Sequence, residues 1–405
     1  MNRKTLLIIG AGAAQLHAFK LAREMGLNIV ATDMYPTAPG FEFADESLIA
    51  STYDLEATLK VVTEFHNRYP IDGVMSVGVD NPLIIATIAD NLGLPGIPID
   101  SAMLGSDKYK MKLKFTESDI AVPKYSKIDS LFELRAFIAD CDGEVVIKPT
   151  DSRGARGIIR VTEDVDIEWA YNYAKDISPS GTIVVDEFIS GPQLSTESII
   201  YKGEAYTVAY SDRNYEFLEM FAPFIIENGG TMPSQMDDNV KEEISDLIHQ
   251  IAICLGLENG VIKGDLVVGD DGVQVIEVAT RLSGGYFCTD QVIQSTGVDL
   301  VKTAIKIALG EDVNISELEP KYHRHIDKKY FFLPKGRIKN IKIDEEIKEN
   351  KWLKRFDLFV SEGDETGLIT DHTKRSGVVV CSGESREEAI KHSRSVIDSV
   401  TFEIE

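Results

Sequence analysis

The sequence predicts a mixed α/β and α+β protein in three parts, of which the first is a doubly wound α/β domain. Three observations support this prediction. Apolar runs alternate with helical patterns over about the first 105 residues, strand-rich segments punctuated by Gly and Pro follow from Cys141, and the pattern changes again after about residue 310. With 405 residues, the chain is long enough to bury two or three hydrophobic cores.

The N-terminal part shows the order strand, helix, strand that is typical of a parallel sheet. The run TLLIIG (residues 5–10) predicts a buried strand, GAGAAQ opens a helical pattern through HAFKLAREMG, and NIVATD predicts a second strand that ends at Asp33. A further buried strand is predicted in GVMSVGVD (residues 73–80), followed by the helix NPLIIATIADNLG. Residues 1–105 are therefore predicted to form a doubly wound domain.

The middle and C-terminal parts contain short strands that alternate or form hairpins, which indicates antiparallel sheet beside a few helices. In the middle part the strand segments are GEVVIKP, GTIVVDEFISG, LSTESIIYKGEAYTVAYS and VIKGDLVVGDDGVQVIEVA, and the helix is VKEEISDLIHQIAICLG. After about residue 311, KKYFFLPKGRIKNI and SGVVVCSG predict strands. The final helix, SREEAIKHSRSVIDSV, is predicted to begin with Ser385 as its N-cap.

Composition limits the classes of function. Hydrophobic residues make up 43% of the chain and charged residues 27%, and no segment approaches the roughly 20 apolar residues of a membrane span. The net charge of −24 disfavours binding to nucleic acid or anionic lipid. Glycines rather than a cleavage region follow the first apolar run, so no signal peptide is expected. The four cysteines lack metal-ligand spacing, which is typical of reduced thiols in the cytoplasm.

The glycine pair in GAGAAQ (residues 10–15) has two interpretations. G-x-G after a strand, with Asp33 about 20 residues on, occurs in dinucleotide-binding folds, but Gln15 stands where the third glycine would be. The favoured interpretation is structural: Gly10 and Gly12 allow a tight turn from strand to helix. Binding of NAD is the alternative.

The hairpin VIKGDLVVGDDGVQVIEVATR predicts a pair of facing carboxylates. A three-residue loop, with Gly272 in the left-handed conformation, would place Asp265 directly opposite Glu277. Two carboxylates at that distance repel each other unless a positive charge lies between them. Mg²⁺ suits such a pair, because it takes oxygen ligands from one or two carboxylates and completes its shell with phosphates and water. The alternative is a pair of solvated carboxylates at a sheet edge.

Basic residues near this pair indicate phosphate binding. Lys148 lies at a strand end in VIKPTDSRGARGI (residues 146–158), where Gly154 and Gly157 are free to turn backbone N–H groups toward a ligand. Arg281 follows Glu277 by four residues, and an arginine there can hold a phosphoryl group bidentately. A solvated basic loop and a surface arginine are the alternatives.

Taken together, these motifs resemble those of the ATP-grasp superfamily, and in particular its carboxylate–amine ligases, which include the L-amino-acid ligases. The four segments that carry the resemblance, in the order and spacing of that superfamily, are SDKYKMK, VIKPTDSRGARG, VVDEFISGPQLSTE and GDLVVGDDGVQVIEVATRLSGG. The resemblance implies an ATP-grasp fold with three domains. They are an N-terminal domain (1–105), an ATP-grasp domain (106–310) with a mobile lid at about 118–185, and a carboxylase-like C-terminal region (311–405).

The resemblance also implies roles for individual residues. Lys108 and Lys148 would contact the nucleotide phosphates, under a lid loop that runs from Ser152 to Gly157 and includes Gly154. The adenine would meet Glu187, Phe188 and Ile189, with Ile189 offering its N–H. Asp265 and Glu277 would hold Mg²⁺, or Mn²⁺, and Arg281 would lie beside the transferred phosphoryl group. The substrate would be contacted by Asp80, Glu197, Ser283 and Gly284.

The sequence departs from the family pattern at two positions. Gln193 stands where many members have a glutamate that holds the ribose hydroxyls. Ala279 stands where many have an asparagine that can add a metal ligand, although a small residue there resembles the amino-acid-ligase branch. The second departure removes one possible metal ligand.

The expected function is an ATP-dependent carboxylate–amine ligase that forms an acyl phosphate and couples it to an amine. Its partners would be small carboxylates and amines, with ATP and Mg²⁺ as cofactors, and the family suggests a homodimer in the cytoplasm. A bicarbonate-using carboxylase, an NAD-dependent dehydrogenase and a nucleotide-binding protein without catalysis are the alternatives.

Overall fold

The computed structural model describes residues 3–79 and 81–405. Asp80, one of the predicted substrate contacts, lies outside the described residues. Within them, no helix combines the length and the apolarity that crossing a bilayer requires.

The N-terminal part forms a parallel four-stranded sheet in the order β3-β2-β1-β4, with helices on both faces. Its strands are β1 (Thr5–Ile9), β2 (Asn28–Asp33), β3 (Glu46–Ile49) and β4 (Gly73–Met75), and its helices are α1 (Leu16–Glu24), α2 (Leu55–His66) and α3 (Pro82–Leu92). Alternate β1 residues pack against opposite layers, Leu6 and Ile8 toward α1 and Leu7 and Ile9 toward α2 and α3. This is the predicted doubly wound arrangement.

The strand predicted over residues 73–80 is shorter in the structure. After Met75 the chain leaves the sheet, makes an isolated bridge from Val77 to Leu282, and takes a positive φ of 65° at Gly78. A residue in the left-handed conformation ends a strand. Two helices, α4 (Ile99–Leu104) and α5 (Lys108–Glu117), then lead to the next sheet.

A small antiparallel sheet in the order β5-β8-β6-β7 lies within the predicted lid. Its strands are β5 (Tyr125–Ile128), β6 (Val145–Pro149), β7 (Ile159–Val161) and β8 (Ile183–Glu187), and its helices are α6 (Leu131–Ala139) and α7 (Ile167–Ile177). The sheet and the two helices share a core of their own that includes Leu134, Ile147 and Ala170.

An eight-stranded antiparallel sheet joins the middle and C-terminal parts, in the order β13-β12-β9-β10-β11-β14-β18-β16. Its middle-part strands are β9 (Gln193–Tyr201), β10 (Glu204–Asn214), β11 (Gly229–Met232), β12 (Asn259–Gly269) and β13 (Gly272–Ala279). The C-terminal part adds β14 (His325–Phe331), β16 (Leu353–Leu358) and β18 (Gly377–Gly383). The C-terminal part therefore extends the sheet that holds the predicted carboxylate pair.

Helices cover this sheet, and a second small sheet flanks it. The helices are α8 (Asp238–Cys254), α9 (Val292–Thr296), α10 (Leu300–Ala308) and α11 (Arg386–Asp398). The flanking strands are β15 (Gly336–Ile343), β17 (Glu365–Thr366) and β19 (Val400–Ile404). The Ser385 side chain accepts a hydrogen bond from the Glu388 N–H at 3.2 Å, which confirms the predicted N-cap of α11.

The β12–β13 hairpin pairs Asp265 with Glu277, as predicted, but through a different loop. Gly269 pairs with Gly272, so the loop has two residues rather than three, and Gly272 has the predicted positive φ (97°). A β-bulge at Ile276 then shifts the register by one residue and brings the two carboxylates opposite each other.

Candidate active site

A cavity of about 440 Å³ lies between the small and large sheets, and many of the predicted site residues line it. They are Lys148, Gly154, Glu187, Phe188, Ile189, Gln193, Asp265, Glu277, Arg281, Ser283 and Gly284. These residues come from segments more than 100 residues apart in sequence. The fold brings them together at one site.

Four predicted residues lie elsewhere. Lys108 and Ser152 line a small adjoining cavity that Glu277 and Arg281 also border. Gly157, the last residue of the loop, packs against Pro149, and a Cβ added there would lie 2.6 Å from the Pro149 side chain. Glu197 is fully buried, and its carboxylate accepts a hydrogen bond from the Ser283 N–H at 2.9 Å.

One end of the cavity is apolar and has the features of a site for a flat ring. Val146, Ile158, Val267 and Ile276 contribute to its walls. Among the described residues, the N–H of Ile189 has no hydrogen-bond acceptor, so it is available to a ligand.

Lys148 is held at the cavity by a buried carboxylate. The Asp186 Oδ2 atom lies 2.6 Å from the Lys148 Nζ atom and 3.2 Å from the Nζ atom of Lys112, which is fully buried. Burial opposes ionisation of Asp186, but Lys112 and Lys148 hold its pKa below the usual value. Burial lowers the pKa of Lys112. Asp186 fixes the position of Lys148 at the wall of the cavity, where the ammonium group can meet an anion.

Lys108 connects the glycine loop, defined as Ser152–Gly157, to the carboxylate pair. Its Nζ atom donates to the Ser152 carbonyl at 2.7 Å and lies 3.5 Å from the Glu277 Oε2 atom. Burial raises the pKa of Glu277, but Lys108, Lys263 and Lys148 together more than offset this effect, so the net shift is downward. Glu277 therefore remains ionised.

Asp265 is surrounded by positive and donor groups. Its Oδ1 atom accepts from the Ser195 hydroxyl at 2.7 Å and lies 3.1 Å from the Arg213 Nη1 atom, and its Oδ2 atom accepts from Lys263. Burial opposes ionisation, yet Arg213 and Lys263 hold the pKa of Asp265 below its usual value.

The carboxylate pair fits a magnesium ion that is shared with a phosphate ligand. Asp265 and Glu277 face one cavity from paired strands and are both ionised. Among the described residues, no group of three or more His, Cys, Asp or Glu side chains could hold a metal ion. Because Mg²⁺ commonly uses one or two carboxylates plus phosphate oxygens, this pair is a sufficient protein contribution.

Three family models match consecutive parts of the chain. The ATP-grasp N-terminal domain matches residues 19–96, the ATP-grasp domain residues 105–285, and the L-amino acid ligase C-terminal domain 2 residues 329–405. The chain belongs to the ATP-grasp superfamily. Its C-terminal match places it with the L-amino-acid-ligase-like branch.

Individual ATP-grasp proteins are similar to this chain at low identity. Alanine–anticapsin ligase from Bacillus subtilis is 23% identical over 321 residues, which cover 72% of this chain and 66% of that protein. A formate-dependent phosphoribosylglycinamide formyltransferase from Paraburkholderia xenovorans (strain LB400) is 22% identical over 281 residues, or 68% of each chain. The chain thus spans about two thirds of the length of these curated relatives.

The ATP-grasp fold is shared over the whole chain with a solved structure. The L-amino acid ligase from Bacillus licheniformis superposes with a TM-score of 0.83 at 21% identity, covering 100% of both chains. At this identity, the comparison shows a common fold.

The other end of the ATP-grasp cavity contains a partly buried charge network that the sequence did not predict. Arg213 on β10 donates from Nε and Nη2 to one Glu227 oxygen at 3.0 and 2.9 Å. Arg375 donates to the Glu227 carbonyl at 2.6 Å, and its guanidinium lies 3.8 Å from the centroid of the Tyr330 ring. Lys328 donates to the Gly285 carbonyl at 3.0 Å. No local pattern indicates these partners, because Arg213 and Lys328 lie on different strands and Glu227 and Arg375 lie outside the strands.

The GAGAAQ turn of the N-terminal domain has the structural role that was favoured. Gly10 has a φ of 85°, and the Asp33 carboxylate accepts from the N–H groups of Ala11 (2.8 Å) and Tyr35 (3.0 Å). Gln15 is buried and donates to the Val77 carbonyl at 2.6 Å. Both oxygens of Asp33 are thus used to stabilise the turn.

Proposed function

We propose that the protein is an ATP-dependent carboxylate–amine ligase that acts on amino-acid-related substrates through an acyl phosphate. The observation that carries the proposal is a single cavity with three zones. Its apolar end suits an adenine, its centre holds Lys148, Arg281 and the Asp265/Glu277 pair, and its other end contains groups of both charges.

The nucleotide would lie with its base between the small and large sheets. Ile189 would donate its N–H to the ring, and Gln193, which lines the cavity, would contact the ribose. The phosphates would be contacted by Lys148, which Asp186 holds in place, and by Lys108, which donates a hydrogen bond to Ser152 of the glycine loop. Charge-assisted contacts of this kind contribute roughly 1.5–3 kcal/mol each.

Mg²⁺, or Mn²⁺, would be held by Asp265 and Glu277 together with the phosphates. When bound, the ion offsets charge on the transferring phosphoryl group. Asp265 would have to exchange its contact with Lys263 for the ion, which the network allows because Arg213 and Ser195 still hold the carboxylate.

The other end of the cavity suits substrates that carry both a carboxylate and an amino group. Glu227 offers a negative charge and Arg213, Lys328 and Arg375 offer positive ones, all lining the cavity. The positive groups would hold the substrate carboxylate, and Glu227 would hold its amino group.

The reaction would proceed in two steps. A carboxylate oxygen attacks the γ-phosphorus, the bond from that phosphorus to the β–γ bridging oxygen breaks, and ADP leaves. The amine nitrogen then attacks the acyl carbon, inorganic phosphate leaves, and the nitrogen loses a proton as the amide forms. Arg281 lines the same cavity as the carboxylate pair, where it would stabilise the phosphoryl oxygens.

Water must be kept from the acyl phosphate, since it would hydrolyse the intermediate. The glycine loop borders the cavity at Gly154 and Ala155 and would act as the cover within the proposed lid at about residues 118–185. The division into domains at residues 105 and 310, the cytoplasmic location and a homodimer remain part of this proposal.

The experiment is a screen of amino acids and small carboxylates, alone and in pairs, for ADP release that depends on ATP and Mg²⁺. We expect ADP and an amide to form in equal amounts for at least one pair. A Glu277→Ala variant should lose roughly 100-fold or more in kcat/KM, because one of two metal ligands is gone.

The matched control is Asp270→Ala, which removes an exposed carboxylate from the tip of the same hairpin and should leave the rate unchanged. ADP formation that depends on bicarbonate rather than on an amine would favour a carboxylase instead. Failure of ATP to bind would reject the ligase altogether.

A further inference from the structure

The C-terminal part contacts the glycine loop directly. The backbone N–H of His372 donates to the carbonyl of Gly154 at 2.9 Å. Gly154 lies at the centre of the loop with a φ of 64°, and His372, Thr373 and Arg375 line the same cavity as Gly154. A segment far along the chain therefore holds the loop at its midpoint.

The ring of His372 links this contact to the charge network. Its Nε2 atom accepts a hydrogen bond from the Glu227 N–H at 3.3 Å, which requires that this nitrogen be unprotonated. Burial, together with the nearby Arg375, lowers the pKa of His372 well below its usual value. One residue thus touches the glycine loop through its backbone and Glu227 through its ring.

The turn that carries His372 is fixed from both sides. The Asp371 carboxylate accepts from the Thr373 N–H at 2.8 Å and from the Thr370 hydroxyl at 3.0 Å. Arg375, at the other end, donates to the Glu227 carbonyl at 2.6 Å. The position of the His372 N–H is therefore set by bonds within the turn and to Glu227, which precedes β11, rather than by the loop that it holds.

We propose that residues 370–375, here called the C-terminal catch, hold the glycine loop closed over the reacting phosphoryl group, with His372 as the positioning residue. His372 acts through Gly154 and does not touch the reacting atoms. The catch contacts Glu227 at the substrate end and Gly154 at the phosphate end, so filling of the substrate end favours closure of the loop. This coupling to the reaction rests on the proposed ligase function, whereas the contact with the loop does not.

Two substitutions at one position separate the backbone contact from the ring. His372→Ala removes only the ring, and His372→Pro removes the ring and the N–H. Proline suits the position because Asp371 is extended (φ −164°, ψ 173°) and His372 is the first residue of a 3-10 turn. The difference between the two variants is therefore the hydrogen bond to Gly154.

The measurement is the rate of trypsin cleavage after Arg153 and Arg156, followed by mass spectrometry, with Mg²⁺ and a non-hydrolysable ATP analogue present. Both arginines lie in the glycine loop. Loss of one hydrogen bond should make cleavage of His372→Pro about threefold to tenfold faster than that of His372→Ala. Equal rates for the two variants would overturn the catch.

A thermal melt checks that His372→Pro is folded. If it is not, Asp371→Ala, which removes the acceptor for the Thr373 N–H, should accelerate the same cleavages, and an unchanged rate would overturn the proposal. In the ligase assay, His372→Pro should release more ADP than amide. The two proposals can fail separately. If trypsin cleaves His372→Pro faster than His372→Ala but the unaltered protein forms no ADP with any substrate, the role of the C-terminal catch is supported and the ligase function is rejected.

Discussion

Buried charges of this protein act as groups rather than as single residues. Asp186 forms ion pairs with both Lys112 and Lys148, and Glu227 forms ion pairs with both Arg213 and Arg375. Removing one partner from the buried Asp186 group leaves an uncompensated buried charge, which commonly costs 3–5 kcal/mol. Motifs in the sequence indicated Lys148, but Lys112 and Asp186, 74 residues apart, gave no local sign that they meet beneath it.

Glu197 differs from these carboxylates because burial outweighs the groups that favour its ionised form. It is fully buried, one oxygen accepts from the Ser283 N–H, and the other has no hydrogen-bond partner among the described residues. Burial raises its pKa to about 7. Glu197 supports the loop that contains Ser283 and is itself shielded from the cavity.

We predict that Glu197 makes stability fall as pH rises. Its pKa in the fold, about 7, is above the ordinary 4.5, so the native state binds more protons than the unfolded state between these two values. The free energy of unfolding therefore decreases through this window and levels off above pH 7. Glu197→Gln keeps an acceptor for Ser283 without this titration, so relative to the unaltered protein it should gain roughly 2–3 kcal/mol from pH 5 to pH 7.5. Urea unfolding of the ligand-free proteins at both pH values measures the difference, and parallel pH profiles would contradict the prediction.

Among the secondary-structure elements, the β12–β13 hairpin shows which features could be predicted from the sequence and which could not. Facing carboxylates at Asp265 and Glu277 were predicted correctly, but the loop was predicted with one residue too many. Val273, Val275 and Val278 face the core beneath α8, whereas both Ile276 and Glu277 line the cavity. Strict alternation would put Glu277 on the same face as Val273 and Val275. The bulge moves Glu277 to the cavity face of the sheet. The bulge could not be predicted from the sequence, because it depends on pairing with the neighbouring strand.

Deleting Ile276 should remove the bulge and keep the carboxylate pair. The register from Gly269 to Leu266 would then continue regularly and still bring Glu277 opposite Asp265. The deletion removes one apolar side chain from the wall of the proposed nucleotide end, which should weaken the binding free energy of ATP by roughly 1–2 kcal/mol. We expect KM for ATP to rise by about tenfold, with the requirement for Mg²⁺ unchanged.

The deletion is tested by steady-state kinetics at varied ATP and Mg²⁺, with Ile276→Ala as the control that keeps the bulge and loses most of the wall. Similar KM values for ATP in the two variants would support the interpretation. Loss of all Mg²⁺-dependent activity in the deletion alone would show that the bulge itself aligns the carboxylates.

In the molecule as a whole, the cavity is assembled from all three parts of the chain. The four sequence motifs lie between residues 106 and 285, and the sequence indicated that part of the site well. Tyr330, Phe359 and Arg375 line the cavity because β14, β18 and β16 continue the large sheet past β11. This placement depends on strand order, which local patterns do not encode.

The N-terminal domain completes the site through a contact between two glycine backbones. The Gly78 N–H donates to the Leu282 carbonyl at 3.1 Å, and a Cβ at Gly78 would lie 2.9 Å from the Gly284 Cα atom. That distance leaves no space for a side chain. The loop of Ser283 and Gly284 is therefore positioned by the N-terminal domain as well as by Glu197.

Gly78→Ala should push this loop away from the N-terminal domain and weaken substrate binding without weakening nucleotide binding. Gly93→Ala is a matched control, because Gly93 has nearly the same φ (66° against 65°) but a Cβ added there would have no atom within 4 Å. Both variants should lose about 1–2 kcal/mol of stability from the left-handed backbone. Only Gly78→Ala should raise KM for the carboxylate, by roughly tenfold or more, while KM for ATP stays within about twofold. Steady-state kinetics and thermal melts of the two variants decide the matter: equal kinetics would mean that the glycine contact does not position the substrate loop.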